Sequence, residues 1–132
     1  MPIIKVTAAD IAKNKNIEAG WYSAQITAIS PWKPSKDKGS QNLEITFLID
    51  GTDGKEINRF YNSKAIGMII PLFEAIREEE ISAGEAAMLD TDELLTKQCD
   101  VKIAVDIYEG RPTNKIEGFL PYGKGKGQQA PF

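Results

Sequence analysis

A mostly β fold, with five strands and a helical insert between the third and the fourth, is what this sequence predicts. Three observations carry the expectation. Apolar and polar residues alternate in separate stretches, clusters of Gly, Asp, Asn and Pro punctuate them, and in the middle of the chain the period changes to one that suits a helix.

Residues 1–19 read as an N-terminal arm. The first strand follows, with Tyr22, Ala24, Ile26 and Ala28 on one face and Trp21, Ser23, Gln25 and Thr27 on the other, the period of a half-buried strand. Pro31, Pro34 and Gly39 interrupt it. Leu43, Ile45, Phe47 and Ile49 then alternate against Asn42, Glu44 and Thr46 as a second strand. The glycines of Asp50-Gly51-Thr52-Asp53-Gly54 supply the positive-φ positions of a hairpin, and residues 56–61 return as the third strand. Its register stays open. With Ile57 inward, Arg59 and Tyr61 share the inner side and Phe60 lies outside with Asn58; a bulge reverses this.

Asn62 or Ser63 suits a helix cap, and Ile66, Ile69, Ile70, Phe73 and Ile76 fall on one stripe. Gly67 and Pro71 divide that helix into a kinked or a two-part segment. Asp90 with Glu93 has the spacing of a capping box for a further short turn. A fourth strand, expected at the centre of the sheet, sets Val101, Ile103, Val105 and Ile107 against Lys102, Ala104 and Asp106. Residues 110–114 form a turn and residues 115–120 a fifth strand. One domain is expected over residues 1–121, and residues 122–132 have too little apolar surface to order, so they read as a flexible Gly/Lys tail. Three strands, a helix and two strands is the order of an OB-fold-like barrel, five-stranded and partly open.

Composition bounds the chemistry. The 132 residues are 42% hydrophobic and 27% charged with a net charge of −3, an ordinary globular balance that supports a core without disulfide or metal. Histidine is absent, which removes Ser-His-Asp and Cys-His nucleophiles and most zinc sites. The single cysteine, Cys99, begins an apolar strand and reads as an inert buried thiol. Asp90, Asp92 and Glu93 suit helix capping better than magnesium, and Asp50 and Asp53 lack the spacing of a calcium loop. No enzyme and no cofactor is expected. The apolar run at residues 66–73 is far shorter than the roughly 20 residues of a membrane helix, and residues 1–6 lack a signal pattern, so a cytoplasmic protein is the expectation.

The acid is concentrated. Residues 65–97 carry Arg77 and Lys97 against eight carboxylates, whereas residues 1–40 carry six lysines against three. Glu78, Glu79, Glu80 and Glu85 read as a solvated helix end on a side that would repel nucleic acid.

The sequence also resembles a family. Gly20-Trp21-Tyr22, the Lys36/Lys38/Gly39 loop, Leu43-Glu44-Ile45-Thr46-Phe47, Ile49-Asp50-Gly51, and residues 94–97 leading into Val101-Lys102-Ile103-Ala104-Val105 are similar to the small single-stranded DNA-binding proteins of phages and prophages. The resemblance spans about residues 17–120, and Thr96 stands where the family has a glycine. It implies an OB-fold that binds single strands in phage DNA replication or recombination.

OB-folds bind oligonucleotides across their second and third strands, between the loops joining strands one to two and four to five. Those places carry Trp32, Lys33, Lys36 and Lys38 in the first loop, Arg59 and Phe60 on the third strand, and Tyr108 and Arg111 at the second loop. Lysine and arginine suit phosphates and flat rings suit bases. For each a plainer reading stands beside it: Trp32 closes the barrel end, the lysines are solvated, Tyr108 is an ordinary edge residue. Trp21 reads as packing in the core or under the arm. Phe132 after Pro131 is similar to the tail tips by which bacterial single-strand binding proteins reach partner enzymes, although this tail carries Lys124 and Lys126 instead of acid. The expected partners are single-stranded DNA, replication or recombination proteins at Phe132, and further copies of the chain, with no membrane. The alternative is a small-barrel protein-interaction or phage assembly module that binds no nucleic acid.

Overall fold

In the computed structural model the described residues are 3–7, 16–36, 39–52, 54–81 and 89–125, with Tyr108 described by its backbone. One antiparallel sheet dominates. Its strands are β1 (Gly20–Ile29), β2 (Lys33–Pro34), β3 (Gln41–Ile49), β4 (Glu56–Asn62), β5 (Gln98–Tyr108) and β6 (Arg111–Pro121). They run in the order β4-β3-β1-β5-β6, with β2 also paired to β3. The centre is therefore β1, not the strand after the helical insert as expected. One α-helix, α1 (Ile70–Arg77), lies in that insert.

The sixth strand, β2, arises where the sequence reads only as a loop. Beyond the end of β1 the chain keeps to the edge of β3: the Ser30 amide donates to the Glu44 carbonyl at 2.9 Å and the Glu44 amide donates to Ser30 Oγ at 2.9 Å. Lys33 then pairs with Asn42 and Pro34 with Gln41. Proline is tolerated there because the strand is two residues long and at an edge.

A bulge in β1 overturns one expected face. The pairing with β3 shifts between Ile26 and Ala28, so Ile26 faces Phe47, Ala28 faces Thr46 and Ile29 faces Ile45. Thr27 is the extra residue, which leaves Ala28 exposed and turns Ile29 onto the core. β3 keeps its expected face throughout, with Leu43, Ile45, Phe47 and Ile49 buried.

The register of β4 is regular, and Ile57 faces Phe47 while Tyr61 faces Leu43. Ile57 and Tyr61 are buried and Phe60 is exposed, the first of the two expected alternatives. Asn62 caps the next segment, accepting the Lys64 amide at 2.9 Å. A 3-10 stretch runs over Ser63–Ile69, and Pro71 then sits in the first turn of α1, where a missing N–H leaves no bond unmade. Leu72, Phe73 and Ala75 turn into the core against β5 and β6; of the two stripe residues in the 3-10 stretch, Ile69 is buried and Ile66 is exposed. Asp90 caps Thr91–Glu93 by accepting the Asp92 amide, while Glu93 turns away to Arg77 at 2.5 Å, so the capping box is half made.

β5 and β6 form a long hairpin with a tighter turn than expected. Glu109 (φ 52°) and Gly110 (φ 78°) both lie in the left-handed region, as a two-residue turn between right-twisted strands requires. The pairing continues from Tyr108 opposite Arg111 to Cys99 opposite Pro121. Because β1 begins at Gly20 opposite Ile103, the tip of the hairpin extends past the rest of the sheet, and Val105 and Ile107, expected in the core, are exposed.

The outer sheet edges, β4 and β6, are not joined by a ladder among the described residues. Arg59 spans them: Nη1 donates to the Ile116 carbonyl, and the guanidinium lies 5.3 Å from the Tyr61 ring centre and 5.5 Å from that of Phe119. Phe119 in turn packs on Phe47 at 5.8 Å.

Residues 122–125 belong to the packed domain, where the sequence reads the start of a tail. Asp100 is 1% exposed and accepts from Ser23 Oγ at 2.8 Å, the Gly123 amide at 3.0 Å and the Gly125 amide at 2.6 Å. Gly118 and Gly125 leave the space that the Trp21 ring occupies, so Trp21 packs against this C-terminal segment. Residues 126–132 lie outside the described residues.

Candidate nucleic-acid interface

Alternation in β3 and β4 places Asn42, Glu44, Thr46, Asn58, Phe60 and Asn62 on the outward face, away from the core. Phe60 is 62% exposed and sits opposite Glu44. One row along, Lys33, Asn42 and Asn62 lie side by side across β2, β3 and β4, because cross-strand partners share a face. Rows two residues apart are about 7 Å from each other, the rise of two strand residues. Two strand spacings and one row separate Phe60 from Lys33, about 12 Å between Cα atoms, and the ring and the cation share one face.

Amides fill the rest of this surface. Asn62 Nδ2 donates to Asn42 Oδ1 at 2.9 Å and Asn58 Nδ2 donates to Glu44 Oε2 at 3.0 Å. Sequence reasoning put Asn42 and Asn58 on the outward side and Asn62 at a helix cap but named none of the three as a site residue. Their signal was the polar half of the alternation itself. Glu44 and Glu56 also lie on this face.

Trp32 and Phe60 are not on one surface. Trp32 is 42% exposed and lines a groove of about 720 Å³ with the inward-facing Leu43 and with Ile66, Ile69 and Phe73. It lines the end of the core and stays partly exposed. Lys36 is exposed just past β2, in a turn closed by the Ser35 amide on the Ser40 carbonyl at 3.2 Å. Lys38 and Phe132 lie outside the described residues.

Arg59 is held as a packing cation. Its guanidinium is engaged by the Ile116 carbonyl and two rings, so the structure places it in the seam between β4 and β6 and not on the outward face. Arg111 is exposed beside the hairpin turn, with the Tyr108 backbone as its strand partner. Since β5 runs antiparallel to β1, this turn and the Lys33 loop lie toward opposite ends of β1.

The outward face offers a ring for stacking, amide hydrogen-bonding groups and a cation at its edge. Burial pushes the Cys99 thiol up to about 12, so a nucleophilic thiolate does not form near neutrality. Among the described residues no group of three carboxylates, cysteines or histidines is placed to hold a metal ion, and no helix is long and apolar enough to cross a membrane. No protein-family model and no curated protein sequence matches the chain.

Proposed function

We propose that the chain is an OB-fold protein that binds single-stranded DNA without sequence preference, in phage DNA replication or recombination. The observation that carries this reading is the exposed Phe60 ring on the outward face of β4, one row from Lys33. The strand order supports the fold. β3 and β5 flank β1, β4 and β6 are the outer edges drawn together by Arg59, and the helix falls between β4 and β5, as in a partly open five-stranded barrel to which β2 is an addition. In this reading a base stacks on Phe60 and phosphates meet Lys33, Lys36 and Lys38. Arg111, with Tyr108, extends the strand's path toward the hairpin turn.

Each stacked base contributes about 1–3 kcal/mol, and three or four phosphate contacts give a log-log salt slope of about −2 to −3. The test is fluorescence anisotropy of a labelled oligo-dT at low and physiological salt, with a duplex of equal length as control. Salt-sensitive binding of the single strand alone supports the reading; no binding at micromolar protein removes it. Glu44, directly opposite Phe60, favours the second reading, a protein-interaction or phage assembly module, which the same experiment selects if the oligonucleotide stays free.

A further inference from the structure

Among the described residues Phe60 has one neighbour across the strands. β4 is an outer strand with a ladder to β3 alone, and Glu44 is the residue directly opposite the ring. Residues so related share a face, with Cβ atoms about 5 Å apart. The Glu44 carboxylate therefore stands at the edge of the exposed ring.

That carboxylate is held in place. Asn58 Nδ2 donates to Oε2 at 3.0 Å, and because a carboxylate only accepts, the nitrogen of Asn58 is the atom that faces it. Beneath it the Glu44 amide donates to Ser30 Oγ at 2.9 Å. Among the described residues no hydrogen bond reaches Oε1, and no lysine or arginine pairs with this carboxylate. The Asn62 amide, next along β4, is taken up on both sides: Nδ2 donates to Asn42 Oδ1 and Oδ1 accepts the Lys64 amide, each at 2.9 Å. The charged group beside the ring thus keeps an acceptor in reserve and has no hydrogen to give.

An unpaired base stacked on an aromatic ring offers its base-pairing edge to the neighbours of that ring. The four bases differ there. Guanine has two adjacent donors, N1–H and the N2 amino group, which match the two oxygens of a carboxylate as an arginine fork does. Cytosine and adenine each have one amino group beside a ring nitrogen that accepts, and thymine has N3–H between two carbonyls. In those three a lone pair is turned toward a carboxylate oxygen.

We propose that Glu44 selects the base that stacks on Phe60, and that guanine is the base it favours. The inference rests on the DNA-binding reading and deepens it at one base of the strand. Phosphates and the remaining bases are still met without regard to sequence.

The test is anisotropy titration of the full chain with three labelled 12-mers: thymine throughout, guanine at every third position, and hypoxanthine at those same positions. Hypoxanthine keeps the purine ring, N1–H and O6 of guanine but lacks the amino group, so stacking is matched and one donor is removed. Wild type is expected to bind the guanine strand about fivefold or more tightly than the hypoxanthine strand. In Glu44→Gln the amide oxygen can keep the Asn58 bond, which sets an NH2 group where Oε1 stood. The ratio is then expected to fall to about one, while affinity for all three strands rises because a negative charge has left the path of the phosphates. Equal binding of the guanine and hypoxanthine strands by wild type overturns the proposal and leaves the DNA-binding reading intact. A ratio that survives Glu44→Gln also overturns it, and failure of all three strands to bind removes the reading together with the inference built on it.

Discussion

Asp100 accepts the Gly125 amide at 2.6 Å across 25 residues of sequence, and that contact ties the last described turn of the chain to the centre of the sheet. A Cβ at Gly125 would lie 2.8 Å from Asp100 Oδ2 and 2.9 Å from Trp21 Cε3. Gly125→Ala is therefore expected to lower stability by about 1–3 kcal/mol through overpacking. Asp100→Ala is expected to cost a similar amount by leaving the Gly123 and Gly125 amides unpartnered. Urea denaturation followed by tryptophan emission reads both, because Trp21 sits in the contact.

Arg59 distinguishes a structural cation from a ligand contact. Lysine cannot reproduce a planar group that stacks between Tyr61 and Phe119 while donating to Ile116. Arg59→Lys is expected to lower stability by about 1–2 kcal/mol and to change oligo-dT affinity by less than about threefold. A large affinity loss with unchanged stability would return Arg59 to the binding face.

Phe60 should behave in the opposite way. Its ring is mostly in solvent, so Phe60→Ala is expected to shift stability by less than about 0.5 kcal/mol. Oligo-dT affinity is expected to fall about 5- to 150-fold, the equivalent of one lost stacked base. Anisotropy titrations of wild type and variant at one salt concentration provide the check.

Alkaline pH acts through two buried groups. Burial raises the Cys99 thiol from 9.0 to about 12 and the Tyr61 hydroxyl from 10.0 to about 12, so the fold favours the protonated form of each. Their contribution is complete below the unfolded values and is lost as pH rises toward 12, with a limiting slope of about 1.4 kcal/mol per pH unit for each group. Urea midpoints are expected to fall steadily from pH 9 to pH 11. Cys99→Ser should flatten the first part of that fall.

The sequence made the elements with clean periods legible. β3 alternates without interruption and the structure keeps every residue on its expected side; Pro71 divides the helical insert where it should. The bulge at Thr27 left no such mark, because inserting one residue into an alternating strand leaves two shorter alternating strands. The side choice in β4 was open because Ile57, Arg59 and Tyr61 are no more apolar as a set than Asn58 and Phe60 are polar. It took the pairing with β3 to settle it. For the candidate site, residue types in the loop were readable, but the separation of Trp32 from Phe60 depends on which side of β3 each approaches. The docking of residues 122–125 was invisible for another reason: it rests on one carboxylate far away in sequence, not on apolar surface.

Most neighbouring strands in this sheet are fastened by backbone ladders, but among the described residues β4 and β6 have none, and the Arg59 side chain reaches across instead. Arg59 acts as a clasp. To part the ladder between β1 and β3 many bonds must break together; to part β4 from β6 a single guanidinium must let go of a carbonyl and two rings. Breathing of the native protein is therefore expected to start at this seam, with water reaching Tyr61 and Phe47 before the rest of the sheet opens.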